Sequence, residues 1–128
     1  MSKFLTHLDV SQTDDTSHEG RGSWVLITPL TYQSDLAGTL TVPTGFSTDF
    51  ATVPRIPIVF DILGDRGNLA ATIHDYMYTV STTGEHPVKD RATADAVLRE
   101  ALIAQGVPRW AAYLMWAGVR IGGSSFWK

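Results

Sequence analysis

Apolar and polar residues alternate in short runs over the first fifty positions of the chain, and turn-forming residues separate the runs. The run "SWVLITPLTYQS" is rich in β-branched and aromatic residues, and its Pro29 indicates a bulge or a strand edge. The run "TLTVPTGFSTDF" also alternates and is interrupted by Pro43 and Gly45. With "KFLTHLDV" as a first strand and "DLAG" as a turn, residues 1–50 are predicted to form a small antiparallel β meander.

The apolar period changes to that of helices in residues 51–128. One helix is predicted over residues 67–81 and a second over residues 88–105. Pro87 before the second helix and Gly106 after it are typical of the two ends of a helix. "VPRWAAYLMWAGVRIGG" predicts a further helix, and "PRIPIVFDILG" predicts a short one. Strands followed by three to four packed helices indicate an α+β fold in one domain, residues 1–128. The helix over residues 67–81 rests on four regularly spaced apolar residues: Leu69, Ile73, Met77 and Val80.

Composition narrows the classes of function. The 128 residues are 44% hydrophobic, which is enough for one domain with a sizeable core. A formal net charge of −3 without a basic run argues against nucleic-acid binding through a broad phosphate-contacting patch. The absence of cysteine excludes disulfides, thiolate zinc sites and a cysteine nucleophile. No apolar run has the length or position of a membrane span or a signal peptide, so we expect neither.

The segment "ATIHDYMYTV", residues 71–80, places His74, Asp75 and Tyr78 in an otherwise apolar helical run. His74 and Tyr78 are one helical turn apart and border the buried stripe, so a carboxylate beside them needs a partner. In the next helix, Asp95 shares a stripe with Leu98. If the two helices pack side by side, Asp95 would meet His74 and fix its tautomer, with the second ring nitrogen facing a cleft.

A purely structural interpretation accounts for the same residues. Asp95 lies four residues from both Arg91 and Arg99, so an ion pair within its own helix would satisfy it. Tyr78 would then be a core residue whose hydroxyl reaches the surface.

The segment "TDFATVPR" also has two interpretations. In the first, Asp49 or Thr52 accepts backbone N–H bonds at the start of a helix. In the second, Asp49 or Thr48 forms part of the wall of a cleft at His74, and Arg55 pairs with Asp49 or binds an anion.

The last predicted helix is unusually aromatic. Trp110, Tyr113, Trp116 and Arg120 fall on one stripe, while further apolar residues occupy its other faces. Such a helix is either a central core helix or one whose stripe, together with Trp127, forms a protein–protein interface. In the second case we expect Trp116 and Trp127 to be the most exposed aromatic residues.

Most of the chain resembles an uncharacterised family of small proteins that tailed phages and prophages encode, a domain of unknown function. The resemblance rests on "VPTGFSTDFATVPR", "IHDYMY", "RATADAVLREAL" and the ending "VRIGGSSFW". It implies a phage origin and a single α+β domain, and it implies no established activity. We therefore expect an accessory component of the virion or tail that carries a small hydrolase-like His/Asp pocket. Its expected partners are other phage structural proteins or further copies of the chain, in the virion or in the host cytoplasm.

The two central helices also resemble those of phospholipase A2 domains. That resemblance implies that His74 activates a water, that Asp75 binds calcium and that Tyr78 and Asp95 orient the histidine. "KDRATA" around Asp90 echoes the Cys-Asp-Arg-Ala-Ala segment of secreted members, so either Asp90 or Asp95 would be the orienting acid. The Gly-rich calcium loop and the cysteines of that family are missing.

A divalent metal, calcium or zinc, is a further expectation. Asp75 and His74 are its predicted ligands, and His86 in the connection between the two helices is a possible third. The competing function is thus a phage hydrolase that acts on phospholipid or the cell envelope during infection or lysis.

Overall fold

The computed structural model of the chain describes residues 2–6, 10–12, 24–48, 66–79, 86–123 and 127. Strands precede helices along the chain, which confirms the α+β class. The short helix predicted within residues 54–64 lies outside the described residues. The strands are β1 (Lys3–Phe4), β2 (Val10–Gln12), β3 (Trp24–Leu26), β4 (Leu30–Ser34), β5 (Gly38–Val42) and β6 (Ser47–Thr48), and the helices are α1 (Arg66–Tyr78), α2 (Arg91–Ala104) and α3 (Arg109–Gly122).

The strands are antiparallel, as predicted, and form two small sheets with the orders β1-β4-β5 and β2-β3-β6. The run "SWVLITPLTYQS" is not one continuous strand. Residues 27–29 form a bend between β3 and β4, and these two strands belong to different sheets. Strands β4 and β5 form a hairpin that pairs Leu30 with Val42 and Ser34 with Gly38. Gly38 and Gly45 adopt positive φ angles of 77° and 89°, which glycine accommodates without strain at these turns.

The three helices pack in sequence as antiparallel neighbours. Tyr78, at the end of α1, lies near Arg91 at the start of α2, while the earlier His74 contacts the later Asp95. Arg91 in turn contacts the last turn of α3, while Arg99 lies over Tyr113, earlier in α3. The predicted helical hairpin is therefore present, with its first helix ending at Tyr78 and its second beginning at Arg91.

A single apolar core lies between the hairpin β4–β5 and the helices. Two hydrogen bonds at one edge of the core join β4 to α2: the hydroxyls of Tyr32 and Ser34 donate to Glu100 Oε1 at 2.6 and 2.7 Å. Burial and the hydrogen bond to Glu100 raise the pKa of Tyr32, so its hydroxyl stays a donor. These two hydrogen bonds hold α2 against the sheet. The opposite side of α2 faces α1 and α3.

Helix α3 is covered on one side only. Its inner face is formed by Ala111, Ala112, Met115 and Val119, all buried. Its outer face leaves four large apolar residues exposed by 39–85%: Trp110, Tyr113, Leu114 and Ile121. The interpretation of this helix as a fully covered core helix is therefore wrong.

Among the described helices, none combines the length and the apolar character that crossing a bilayer requires.

Candidate functional site

The centre of the candidate site is a contact between α1 and α2. His74 Nε2 lies 2.8 Å from Asp95 Oδ1, and both side chains have 0% exposed surface. The Tyr78 hydroxyl, one helical turn after His74, donates to the same carboxylate oxygen. Asp95 lies on the same stripe of α2 as Leu98 and Leu102. Because both leucines are buried, this stripe faces the interior and places Asp95 there.

Two arginines hold the other oxygen of the carboxylate. Arg120 Nη1, from α3, donates to Asp95 Oδ2 at 2.9 Å, and Arg91 Nη1 lies 3.5 Å from the same atom. The carboxylate thus receives partners from all three helices. A buried charge is tolerated when it is paired and hydrogen-bonded in this way, whereas an unpaired one costs several kcal/mol.

The surroundings of Asp95 determine its ionisation. Burial alone would raise its pKa, but hydrogen bonds from His74 and Tyr78, attraction to His74 and the hydrogen bond from Arg120 outweigh burial. The pKa of Asp95 is therefore lower than usual, and the group is a carboxylate at neutral pH. Burial and the hydrogen bond to this carboxylate raise the pKa of Tyr78, which keeps its hydroxyl protonated as a donor.

Arg91 also fixes the end of α3. Its Nη1 donates to the carbonyl of Val119 at 3.0 Å, and its Nη2 donates to the carbonyl of Arg120 at 3.2 Å. These carbonyls belong to the last turn of α3, where the negative end of the helix dipole favours a cation. One guanidinium therefore caps α3 and neutralises Asp95.

Gly123 follows α3 and closes tightly over the network. A Cβ atom at this position would lie 2.9 Å from the Tyr78 hydroxyl and 3.2 Å from Arg91 Nη1. Both atoms are engaged in the network, so neither can move without loss of a hydrogen bond. The close approach therefore requires glycine at this position.

The centre of the network, His74, Tyr78 and Asp95, is closed to solvent, whereas the side chains of Arg91 and Arg120 are partly exposed. Tyr78 is buried like His74 and Asp95, and each buried side-chain nitrogen or oxygen among the described residues has a hydrogen-bond partner. The expectation that His74 lines an open cleft is therefore not met. The arrangement can fix a histidine tautomer, but it does not present the ring to a substrate.

Asp90 does not join the network. It is exposed and serves as the N-cap of α2, where its Oδ1 accepts a hydrogen bond from the backbone N–H of Thr93 at 2.8 Å. Hydrogen bonds from the side chain and from the backbone N–H of Thr93 lower the pKa of Asp90. Asp95, and not Asp90, is the acid that the fold brings to His74, so the alternative that assigned Asp90 this place is wrong.

The other predicted site residues lie apart from the network or beyond the described residues. Asp75 follows His74 in α1 and is buried, and its backbone carbonyl accepts from Thr79 Oγ1 at 2.9 Å. Thr48 ends β6, and its side chain is outside the description, as are Asp49 and Arg55.

The expected metal is not matched by the described residues. No group of three or more histidine or acidic side chains among them could hold an ion. His74 Nε2 is engaged by Asp95, and His86 Nδ1 lies 3.1 Å from the carbonyl of Met77 while its ring stacks on Trp127. Calcium requires about six or more oxygen ligands, which this set does not supply.

The predicted interface residues divide into two groups. Trp110 and Tyr113 are exposed by 53% and 46%. Trp116 and Trp127 are only partly exposed, so their expected place as the most exposed aromatics is wrong. Trp127 packs edge-on against Tyr78 and flat against His86, with ring centroids 5.2 and 3.6 Å apart.

Sequence reasoning missed two members of the polar architecture. The helical pattern predicts that Arg120 lies on the aromatic stripe, yet it reaches inward to Asp95 from 25 residues away. Glu100 was not singled out, although it joins α2 to the sheet. A local signal for Arg120 existed, since it is the basic residue in the last turn of α3, but its partner depends on how α3 packs.

Comparisons with known proteins give one positive result. Neither the curated proteins nor the solved structures provide a match. A family model described as "Protein of unknown function (DUF1353)" matches residues 24–119, which include β3 to β6, the three helices up to Val119 and four of the five network residues: His74, Tyr78, Arg91 and Asp95. The chain therefore belongs to the DUF1353 family.

Proposed function

We propose that the chain is a phage-encoded accessory protein, a component of the virion or its tail, that acts by binding other proteins and not by catalysis. The observation that carries this proposal is the contrast between the two candidate regions. The His74–Asp95 network is buried and satisfied, whereas four large apolar side chains lie exposed on the outer face of α3. Exposed patches of this kind mark contact surfaces, while a catalytic group must reach its substrate.

The phage origin is supported by the resemblance of "GFSTDFATVPR" and the following helices to phage and prophage proteins. The partners in this proposal are other phage structural proteins or further copies of the chain. The buried network then has a mechanical role, because it fixes α1, α2 and α3 relative to one another and so keeps the outer face of α3 in place.

Mass spectrometry of purified virions tests this proposal. We expect the chain in virions at a constant number of copies, and retained after washing at high salt. Presence of the chain in infected cells together with its absence from virions would contradict the proposal.

A second candidate function, a hydrolase, is favoured by one specific observation. Asp95 accepts from both His74 and Tyr78, which is the arrangement that the phospholipase A2 resemblance implies for an orienting acid. A carboxylate on Nε2 fixes the proton there, so that Nδ1 would be the basic nitrogen able to take a proton from water. Because His74 has no exposed surface, this function requires the site to open.

Hydrolysis assays separate the second candidate from the first. Fatty-acid release from phosphatidylcholine–phosphatidylglycerol vesicles and turnover of peptidoglycan would be measured for the wild type and for His74→Asn, with and without calcium. Release that depends on His74, in a variant whose melting curve shows that it is folded, would support the hydrolase. Equal background rates for the two proteins would remove it.

A further inference from the structure

The outer face of α3 has the composition of a contact surface. We call Trp110, Tyr113, Leu114 and Ile121 the aromatic face, and Ile121 alone is 85% exposed. A helix at the surface of a soluble domain usually carries polar residues on its outer side. Here the outer side carries aromatic and aliphatic residues, and the sequence of α3, RWAAYLMWAGVRIG, contains no acidic residue.

One edge of the aromatic face is ordered before any partner arrives. The guanidinium carbon of Arg99, from α2, lies 4.6 Å from the ring centroid of Tyr113 and 4.9 Å from that of Trp116. The two rings meet edge to face, with centroids 6.3 Å apart. Trp, Tyr and Arg are the residues that contribute most to binding free energy at protein interfaces, and an ordered edge loses less conformational entropy on binding.

The charge around the aromatic face is positive at one end. Arg109 begins α3 and is exposed, with no ion-pair partner among the described residues. Pro108 before it provides no side-chain cap, and the first turn holds no acidic residue. Arg120 is already paired with Asp95. A carboxylate on the partner would therefore be placed best beside Arg109.

Two other occupants fit this charge distribution less well. A second copy docked through the same face would offer no acidic residue of its own α3 to pair with Arg109. An anionic membrane would repel a chain of net charge −3 whose cations at this face without an ion pair, among the described residues, are Arg109 and the ring-stacked Arg99.

We infer that the aromatic face binds an amphipathic helix of another protein, with an apolar stripe against Trp110 and Ile121 and an Asp or Glu beside Arg109. From Trp110 to Ile121 the face extends about 17 Å along α3, which matches three turns of a packed helix. The inference rests on the proposed function for the identity of the partner as another phage protein.

Site-specific photo-crosslinking tests the inference. A benzoylphenylalanine is placed in the full chain at position 110, or at position 27 as a control, because Ile27 is exposed by 57% and belongs to the turn between β3 and β4. Cells producing the phage are irradiated, and the adduct is identified by mass spectrometry. Dissociation constants for the purified partner are then measured with the wild type, Ile121→Ser, Arg109→Gln and Ile27→Ser.

The expected result has three parts. One protein crosslinks at position 110 and not at position 27, through a helical segment that carries an acidic residue. Ile121→Ser raises the dissociation constant at least about tenfold, and Arg109→Gln raises it less and weakens its dependence on salt. Ile27→Ser stays within about twofold of the wild type.

Several results would overturn the inference. One is a crosslink at position 110 to a second copy of the chain. Another is binding to phosphatidylglycerol vesicles that Ile121→Ser abolishes. A third is an equal affinity of Ile121→Ser and the wild type for the purified partner. Incorporation into virions that is unaffected by Ile121→Ser overturns the inference and leaves the proposed function intact. If a helical partner is found but the chain is absent from virions, the inference stands and the proposed function is contradicted.

Discussion

His74 Nε2 lies 2.8 Å from Asp95 Oδ1 across the contact between α1 and α2, and neither side chain reaches solvent. The same carboxylate receives Tyr78 from α1 and Arg120 from α3, so one buried group joins three helices. Removal of a single member of such a network leaves the others buried without a partner, and that asymmetry makes the network testable.

Asp95→Ala is expected to lower the free energy of unfolding by about 3 kcal/mol, because it leaves His74, Tyr78 and Arg120 without their acceptor and Arg91 without its ion-pair partner. Urea unfolding at pH 7 measures the loss, with the exposed Lys89→Ala as a surface control. Equal midpoints for Asp95→Ala and the control would show that the network adds nothing to stability.

Acid should weaken the fold through Asp95. Its pKa is lower in the folded state than the unfolded value of about 3.9, so its stabilisation is complete above the unfolded pKa and is lost as pH falls through the folded one. Unfolding free energies from pH 2 to 7 should therefore fall more steeply below pH ~4 for the wild type than for Asp95→Asn. Parallel curves for the two proteins would contradict the assignment.

Gly123→Ala is expected to destabilise the protein by about 1–3 kcal/mol, since the added methyl group would overlap the Tyr78 hydroxyl and press on Arg91. Gly122→Ala is the matched control, because a Cβ there meets no atom within 4 Å. Thermal melts of the two variants give the comparison. If Gly122→Ala lowers the melting temperature as much as Gly123→Ala does, the loss of stability comes from replacing a glycine at the end of α3 and not from overlap with the network.

Asp90 should behave as a helix cap and nothing more. Asp90→Ala is expected to cost about 1 kcal/mol, while Asp90→Ser, which keeps an acceptor for the Thr93 N–H, should cost little. Chemical unfolding of both variants checks this. A loss for Asp90→Ala as large as that for Asp95→Ala would return Asp90 to the site.

The contact between His74 and Asp95 could be predicted because it depends on local patterns. Each residue borders an apolar stripe of its own helix, and the short connection between the helices favours an antiparallel pair. The sequence leaves Asp90 as an alternative to Asp95, although an aspartate just before a helix usually caps it.

Other features depend on packing that no local pattern specifies. Arg120 reaches Asp95 only because α3 runs antiparallel to α2 and ends beside it. Trp116 is half-buried because its position lies at the edge of the buried face of α3, whereas Trp110 and Ile121 lie well outside it. Likewise, β propensity predicts extended backbone, but not that β3 and β4 join different sheets.

The number of copies of the chain in each purified virion, for the wild type, Ile121→Ser and Ile27→Ser, tests most directly whether the protein acts by binding through α3. We expect wild type and Ile27→Ser to be present in equal numbers and Ile121→Ser, equally stable in solution, to be depleted at least about tenfold. Virions that lack the wild-type chain, or that hold Ile121→Ser at the wild-type level, would contradict this expectation.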